Sequence, residues 1–151
     1  EQQDSLKIHI KGEQDIGNNT FFPVLFWGER DKGNKTQQVS VRRLDEYIKE
    51  KYLRDIKLIK IDVEGFEFPV LRGLSNYFAE CSKNNSCPVI ICEIVTGAYE
   101  KLGYKLKDLF NYMSRFSYYP YEVLNTKKKL DIEDIKNKVF ADVLFLQSVK
   151  S

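Results

Sequence analysis

Apolar residues recur along this chain on two periods, and each change of period marks a boundary between elements. Leu6, Ile8 and Ile10 alternate with Lys7 and His9, which predicts a half-exposed edge strand before the polar stretch from Gly12 to Asn19. Phe21 to Trp27 is a second apolar run, and Gly28 to Gln38 has the composition of a surface loop. Val39 and Val41 alternate briefly, and Asp45 is then placed to cap a helix whose apolar side takes Leu44, Tyr47, Ile48 and Tyr52. Ile56 to Val63 predicts a strand. Because successive strand side chains point to opposite faces, Leu58, Lys60, Asp62 and Glu64 share one side, and Ile59, Ile61 and Val63 the other.

After Gly65 the chain must turn. Pro69 suits the first turn of a short helix, where its missing N–H would have no partner in any case, and Gly73 is placed to stop that helix. Pro88 opens Val89 to Ile94, a nearly continuous apolar run of the kind found in strands covered on both faces. Leu106, Leu109, Phe110, Met113 and Phe116 fall at helical spacing and predict an amphipathic helix. Tyr119 to Leu124 and Phe140 to Gln147 predict two further strands, with Lys127 to Lys138 between them as a solvated turn and a short helix. Strands alternating with helices imply an α/β sandwich.

Composition narrows the partners. A chain of 151 residues with 42% hydrophobic content suits one domain, 1–151, around one sizeable core. Lys and Arg total 24 against 22 for Asp and Glu, so no global field draws the chain to nucleic acid or anionic lipid. Neither a membrane-spanning run nor a signal peptide is visible. Cys81, Cys87 and Cys92 include no CxxC pair and His9 stands alone, which leaves little for a zinc site. No metal-ligand set is assigned, although the acids Asp62, Glu64, Glu67 and Glu93 have the alternative use of holding a divalent cation through oxygen ligands. Reduced thiols and a cytoplasmic setting are expected, with Cys92 a small buried hydrophobe in its apolar strand. Glycosylation sequons begin at Asn18, Asn34 and Asn84, but an Asn-rich chain produces such triplets by chance.

The chemistry gathers where the Ile56 to Val63 strand ends. Asp62, Glu64 and Glu67 surround Gly65 there, and open α/β sheets bind ligands in the crevice beyond the carboxyl ends of their strands. Crowded carboxylates raise the pKa of at least one member, which helps a group accept a proton near neutral pH. Asp62 is the first candidate for a general base, followed by Glu64 and Glu67. Lys60 offsets part of the repulsion, and Glu93, near the end of the Val89 strand, can line the same crevice as a substrate contact. Capping competes with catalysis for Glu67, since a carboxylate stabilises a helix N-terminus. The string from Gly28 to Thr36 approaches a nucleotide phosphate loop. Asn34, however, displaces Lys35 by one position, and a strand follows where the phosphate cradle needs a helix N-terminus.

Val41-Arg42-Arg43-Leu44-Asp45, then Ile56 through Leu71 with its Lys60-Ile61-Asp62-Val63-Glu64-Gly65-Phe66-Glu67 string, then Gly73, resemble the signature region of the FkbM family of methyltransferases. The similarity continues through Val89 to Glu93 and the Leu144-Phe145-Leu146 tail, over about the last three-quarters of the chain. It implies a Rossmann-like, S-adenosylmethionine-dependent methyltransferase fold, acting on a hydroxyl of a sugar, glycolipid or small metabolite. By the same resemblance, Ile56 to Val63 is the fourth strand of the fold, Val89 to Ile94 the fifth, and the final antiparallel pair the sixth and seventh. The glycine-rich turn that would approach the cofactor is not visible, since Gly12, Gly17, Gly28 and Gly33 all follow segments unlike a first central strand. The chain therefore reads as the later portion of such a domain, with its cofactor-binding residues unassigned. The competing expectation is a non-catalytic interaction domain that pairs an exposed sheet edge with another chain or with its own copy.

Overall fold

A computed structural model describes residues 5–10, 35–84 and 86–148, which fall into two compact units divided between Arg42 and Arg43. In the first unit β1 (Ser5–Ile10) pairs antiparallel with β2 (Lys35–Ser40), Ser5 opposite Ser40 and Ile10 opposite Lys35. The loop expected as far as Gln38 therefore gives way to strand from Lys35, where Thr36 and Val39 supply β-branched side chains. The Phe21 to Trp27 run, the segment from Gly28 to Asn34 and the sequons at Asn18 and Asn34 lie outside the described residues, as does the side chain of His9.

The second unit runs α1 (Leu44–Glu50), β3 (Leu58–Ile61), α2 (Glu67–Arg72), α3 (Ser75–Lys83), β4 (Val89–Val95), α4 (Thr96–Lys101), α5 (Leu106–Ser114), β5 (Tyr118–Glu122), β6 (Asn125–Lys129), α6 (Ile132–Ile135) and β7 (Phe140–Gln147). Its strands form one mixed sheet in the order β3-β4-β7-β5-β6. β3 and β4 run parallel, and β7 lies antiparallel between β4 and β5. This is the α/β architecture that the alternating periods predict. On β4, Ile90, Cys92 and Ile94 are wholly buried, whereas Val89, Ile91 and Glu93 on the other face are half-buried. The expectation of equal cover on both faces is thus corrected: the helices pack one face, and the second keeps access to solvent.

That packed face carries the core. Leu71 of α2, Phe78 of α3, Leu109 and Met113 of α5, and Val143 and Phe145 of β7 are all fully buried within it. Phe78 lies 5.3 Å from the Phe116 ring centroid and 5.4 Å from that of Tyr118. The helix α5 forms where its apolar stripe requires, and Asp108 closes its first turn by accepting the Lys105 N–H at 2.8 Å.

At α1 the structure corrects the expected cap. Asp45 lies inside the helix, buried, and its side chain serves a different helix: Oδ2 accepts the Asn76 N–H of α3 at 3.1 Å. The same oxygen pairs with Arg43 Nη2 at 2.6 Å. Burial works against the Asp45 charge, but the Arg43 guanidinium and the Asn76 N–H outweigh it and hold the carboxyl below its usual pKa. Tyr47 and Tyr52, expected on the apolar side of α1, are exposed. Beside this contact Gly73 follows α2 with its carbonyl accepting the Asp45 N–H at 3.0 Å, and a Cβ on it would stand 3.2 Å from the Val70 oxygen. Asp45→Asn is expected to cost about 1.5–3 kcal/mol, the range for a hydrogen bond to a charged group, in urea unfolding at pH 7. Because the folded pKa is lowered, that loss should shrink as pH falls through it.

Two further expectations change. Cys81 and Cys87 form a disulfide, their Cα atoms brought to 5.0 Å by the turn that joins α3 to Pro88, so the expected reduced thiols are corrected for this pair. Chain-entropy arguments for so short a loop give about 2 kcal/mol, and dithiothreitol should lower the unfolding midpoint accordingly. The Lys127 to Lys129 run is not a turn but the exposed strand β6, held by its antiparallel pairing with β5. Three consecutive lysines on the last strand of a sheet discourage further strand addition.

Candidate active site

Strand β3 ends at Ile61, and the next residues form the tight turn that organises the acids. Phe66 N–H donates to the Val63 carbonyl at 3.2 Å, and both central residues have positive φ, 52° at Glu64 and 100° at Gly65. That combination is the pattern of a type I′ turn, in which glycine is at ease and glutamate is strained by about 1–3 kcal/mol. Strain of this kind persists only where the surroundings over-determine it.

The turn separates the acids into two levels. Asp62 is exposed and pairs with Lys60 Nζ at 2.6 Å, as their shared strand face predicts. Glu64 is half-buried, and burial, then the charge of Asp62, raises its pKa. Glu93 enters from β4; burial raises its pKa first, with Asp62 and Asp142 adding to the effect. Asp62 also raises the pKa of the Lys60 ammonium, chiefly through their hydrogen bond, with Glu93 and Asp142 contributing at longer range.

Glu67 lies below this group. As the first residue of α2 it is completely buried, and its Oε1 accepts the Gly65 N–H at 2.5 Å. Burial pushes its pKa up to about 7, against the opposing effect of the Gly65, Glu67 and Val95 N–H groups and the Tyr99 hydroxyl. Tyr99, on α4, is itself buried, and burial and the neighbouring Glu67 both raise its pKa far above the ordinary tyrosine value.

The structure therefore brings Lys60, Asp62, Glu64 and Glu93 to one end of the sheet and sets Glu67 beneath them. Sequence reasoning missed Asp142. It stands directly opposite Glu93 on β7, an arrangement of like charges that costs stability. Its only local signal is a carboxylate between the apolar residues Ala141 and Val143; the pairing with Glu93 depends on β7 inserting beside β4. Among the described residues no cluster of three or more His, Cys, Asp or Glu side chains is arranged to hold a metal ion. A shallow groove of about 440 Å³, lined by Phe110, Tyr118, Tyr119, Lys129 and Leu130 among others, contains none of these acids. Among the described residues no helix is long and apolar enough to cross a membrane.

Residues 2–120 match the family profile described as the Methyltransferase FkbM domain. The match takes in residues 2–40, which the motif-level resemblance leaves out, and ends within β5, short of the Leu144 to Leu146 tail. No curated protein and no solved structure matches the chain.

Proposed function

Since this chain belongs to the FkbM methyltransferase family, we propose that it transfers a methyl group from S-adenosylmethionine to a hydroxyl oxygen of a sugar, glycolipid or small metabolite, with Asp62 receiving the hydroxyl proton. The observation that carries this reading is the convergence of Asp62, Glu64, Glu93 and Asp142 at the carboxyl ends of the parallel strands β3 and β4. Bound there, S-adenosylmethionine supplies a methyl carbon on a positively charged sulfur. The donor set fits that end of the cofactor, because four carboxylates offset by one lysine favour a neighbouring cation.

The residues divide the work. Asp62, exposed and held by Lys60, can reach an incoming hydroxyl and take its proton as the oxygen bonds to carbon. Glu93 and Lys60 would orient the acceptor through hydrogen bonds, and Glu64 would add negative charge favourable to the cofactor's cationic sulfur. Positioning of this kind supplies a large share of the rate in a direct displacement.

The test is transfer of label from methyl-tritiated S-adenosylmethionine to a panel of hydroxyl-bearing acceptors, followed by alkali treatment. Alkali-stable label, as an ether gives, is expected. Label released by alkali would point to a carboxyl ester, and no transfer with no calorimetric binding of S-adenosylmethionine would overturn the reading. A second reading, a non-catalytic interaction module, is favoured by β3, which ends the described sheet with Leu58 53% exposed. Sedimentation that is independent of concentration and unchanged by Leu58→Lys would count against it.

A further inference from the structure

Glu67 differs from the acids around it in having no access to solvent, so it touches no acceptor from where it stands. One of its oxygens holds the Gly65 N–H at 2.5 Å. The other, Oε2, and the Tyr99 hydroxyl are both buried without a hydrogen bond of ordinary geometry, although the two groups face each other closely enough to alter each other's proton affinity. A buried polar atom left unpaired is costly, and a native fold keeps one where it does something. The N–H that Glu67 holds belongs to the residue at φ 100°, next to Glu64 at φ 52°. Left-handed backbone at a glutamate needs a restraint, and this hydrogen bond supplies one from below the turn, beside the Phe66 N–H to Val63 carbonyl bond that closes it.

We propose that Glu67 is a positioning residue, which holds the Val63 to Phe66 turn from beneath through Gly65 and so fixes where Asp62 and Glu64 project, with Tyr99 as the second member of the pair. It rests on the acceptor-site reading only for its consequence in catalysis, because its test is read without substrate.

The pair also makes the turn sensitive to pH. A neutral Glu67 is compatible with its dry surroundings, whereas its carboxylate needs another donor, and Tyr99 is the side chain placed to give one. The titratable groups that face it are Tyr99 on α4 and Cys92 on β4, whose thiol is itself pushed well above its usual pKa by burial, Glu67 and Asp62. Neither carries a positive charge, so the Tyr99 hydroxyl is the one that can favour the Glu67 carboxylate, by donating to it. With its pKa near 7, Glu67 changes charge in the neutral range. Ionisation then draws the Tyr99 hydroxyl onto Oε2 and reseats the turn.

Amide spectra of the full chain, isotope-labelled and followed from pH 5.5 to 8.5, test this. The Glu64, Gly65 and Phe66 signals are expected to move together with a midpoint near 7. In Glu67→Gln, which keeps an acceptor oxygen for the Gly65 N–H but cannot ionise, the same signals should stay flat; in Tyr99→Phe, which removes the donor, the midpoint should rise. Methyl signals of Ile90 and Val143, buried in the core, should not move. The proposal is overturned if the turn signals do not titrate, if Glu67→Gln titrates as the wild type does, or if the core methyls move with them. Should Glu67→Gln not fold, an unshifted midpoint in Tyr99→Phe overturns it. Absence of methyl transfer would leave these titrations untouched, so the two readings fail separately.

Discussion

Asparagine in place of Asp62 is expected to lower methyl transfer about 10²–10⁴-fold, the usual contribution of a positioned proton acceptor. The amide keeps the size and the hydrogen-bonding reach of the carboxylate but has no basicity at neutral pH. Asp62 is exposed and its pairing with Lys60 is a surface contact, so the variant should unfold within about 1 kcal/mol of the wild type. The loss should appear in kcat, with KM for the acceptor changing less, because the proton leaves the hydroxyl only as the new bond forms. Initial rates across acceptor concentration, beside urea unfolding of both proteins, decide the matter. Turnover within threefold of wild type would remove Asp62 from the chemistry.

Glu67→Gln should have the largest effect on stability, and its sign depends on pH. Between the ordinary glutamate pKa and the folded value of about 7, the folded protein binds more protons than the unfolded chain. Stability from this residue is therefore present below pH 4.5 and declines as pH rises to 7. A shift of this size is worth about 3 kcal/mol. The wild type should thus lose about that much relative to Glu67→Gln between pH 4 and pH 8. Glu64 and Glu93, whose pKa values are also raised, act in the same direction, while Asp45, held low by Arg43 after its burial is overcome, acts in the opposite one. Comparing the two proteins residue for residue cancels those contributions. Denaturant unfolding at several pH values measures the difference, and parallel stability curves would show that Glu67 carries no excess proton.

What could be read from the chain depended on how local its cause was. β4 and α5 were legible because each cause lies within its own length: Val89 to Ile94 is a nearly continuous apolar run, of which only Ile90, Cys92 and Ile94 turn fully into the core, and Leu109 and Met113 share one helical stripe. The acids at the end of β3 were legible because charge that interrupts an apolar strand stands out against its neighbours. Asp45 misled, since its carboxylate serves Asn76, thirty-one residues away, and not its own helix. β6 was invisible because nothing in Lys127 to Lys129 favours a strand; its pairing with β5 decides the matter. The disulfide and Asp142 needed the turn after α3 and the placement of β7, which no single segment contains. Glu67 was the subtlest case. Its position before Pro69 identified a helix start, but its burial follows from positive φ at two preceding residues.

Cys92 is the chain's one thiol outside the disulfide, and it sits wholly covered on the middle strand of three neighbours. A fluorescent maleimide can reach it only when the helices lift from that face of the sheet, so dye uptake over time is a built-in clock for how often the core opens. The native chain thus reports its own breathing at a single atom, with no label engineered into it.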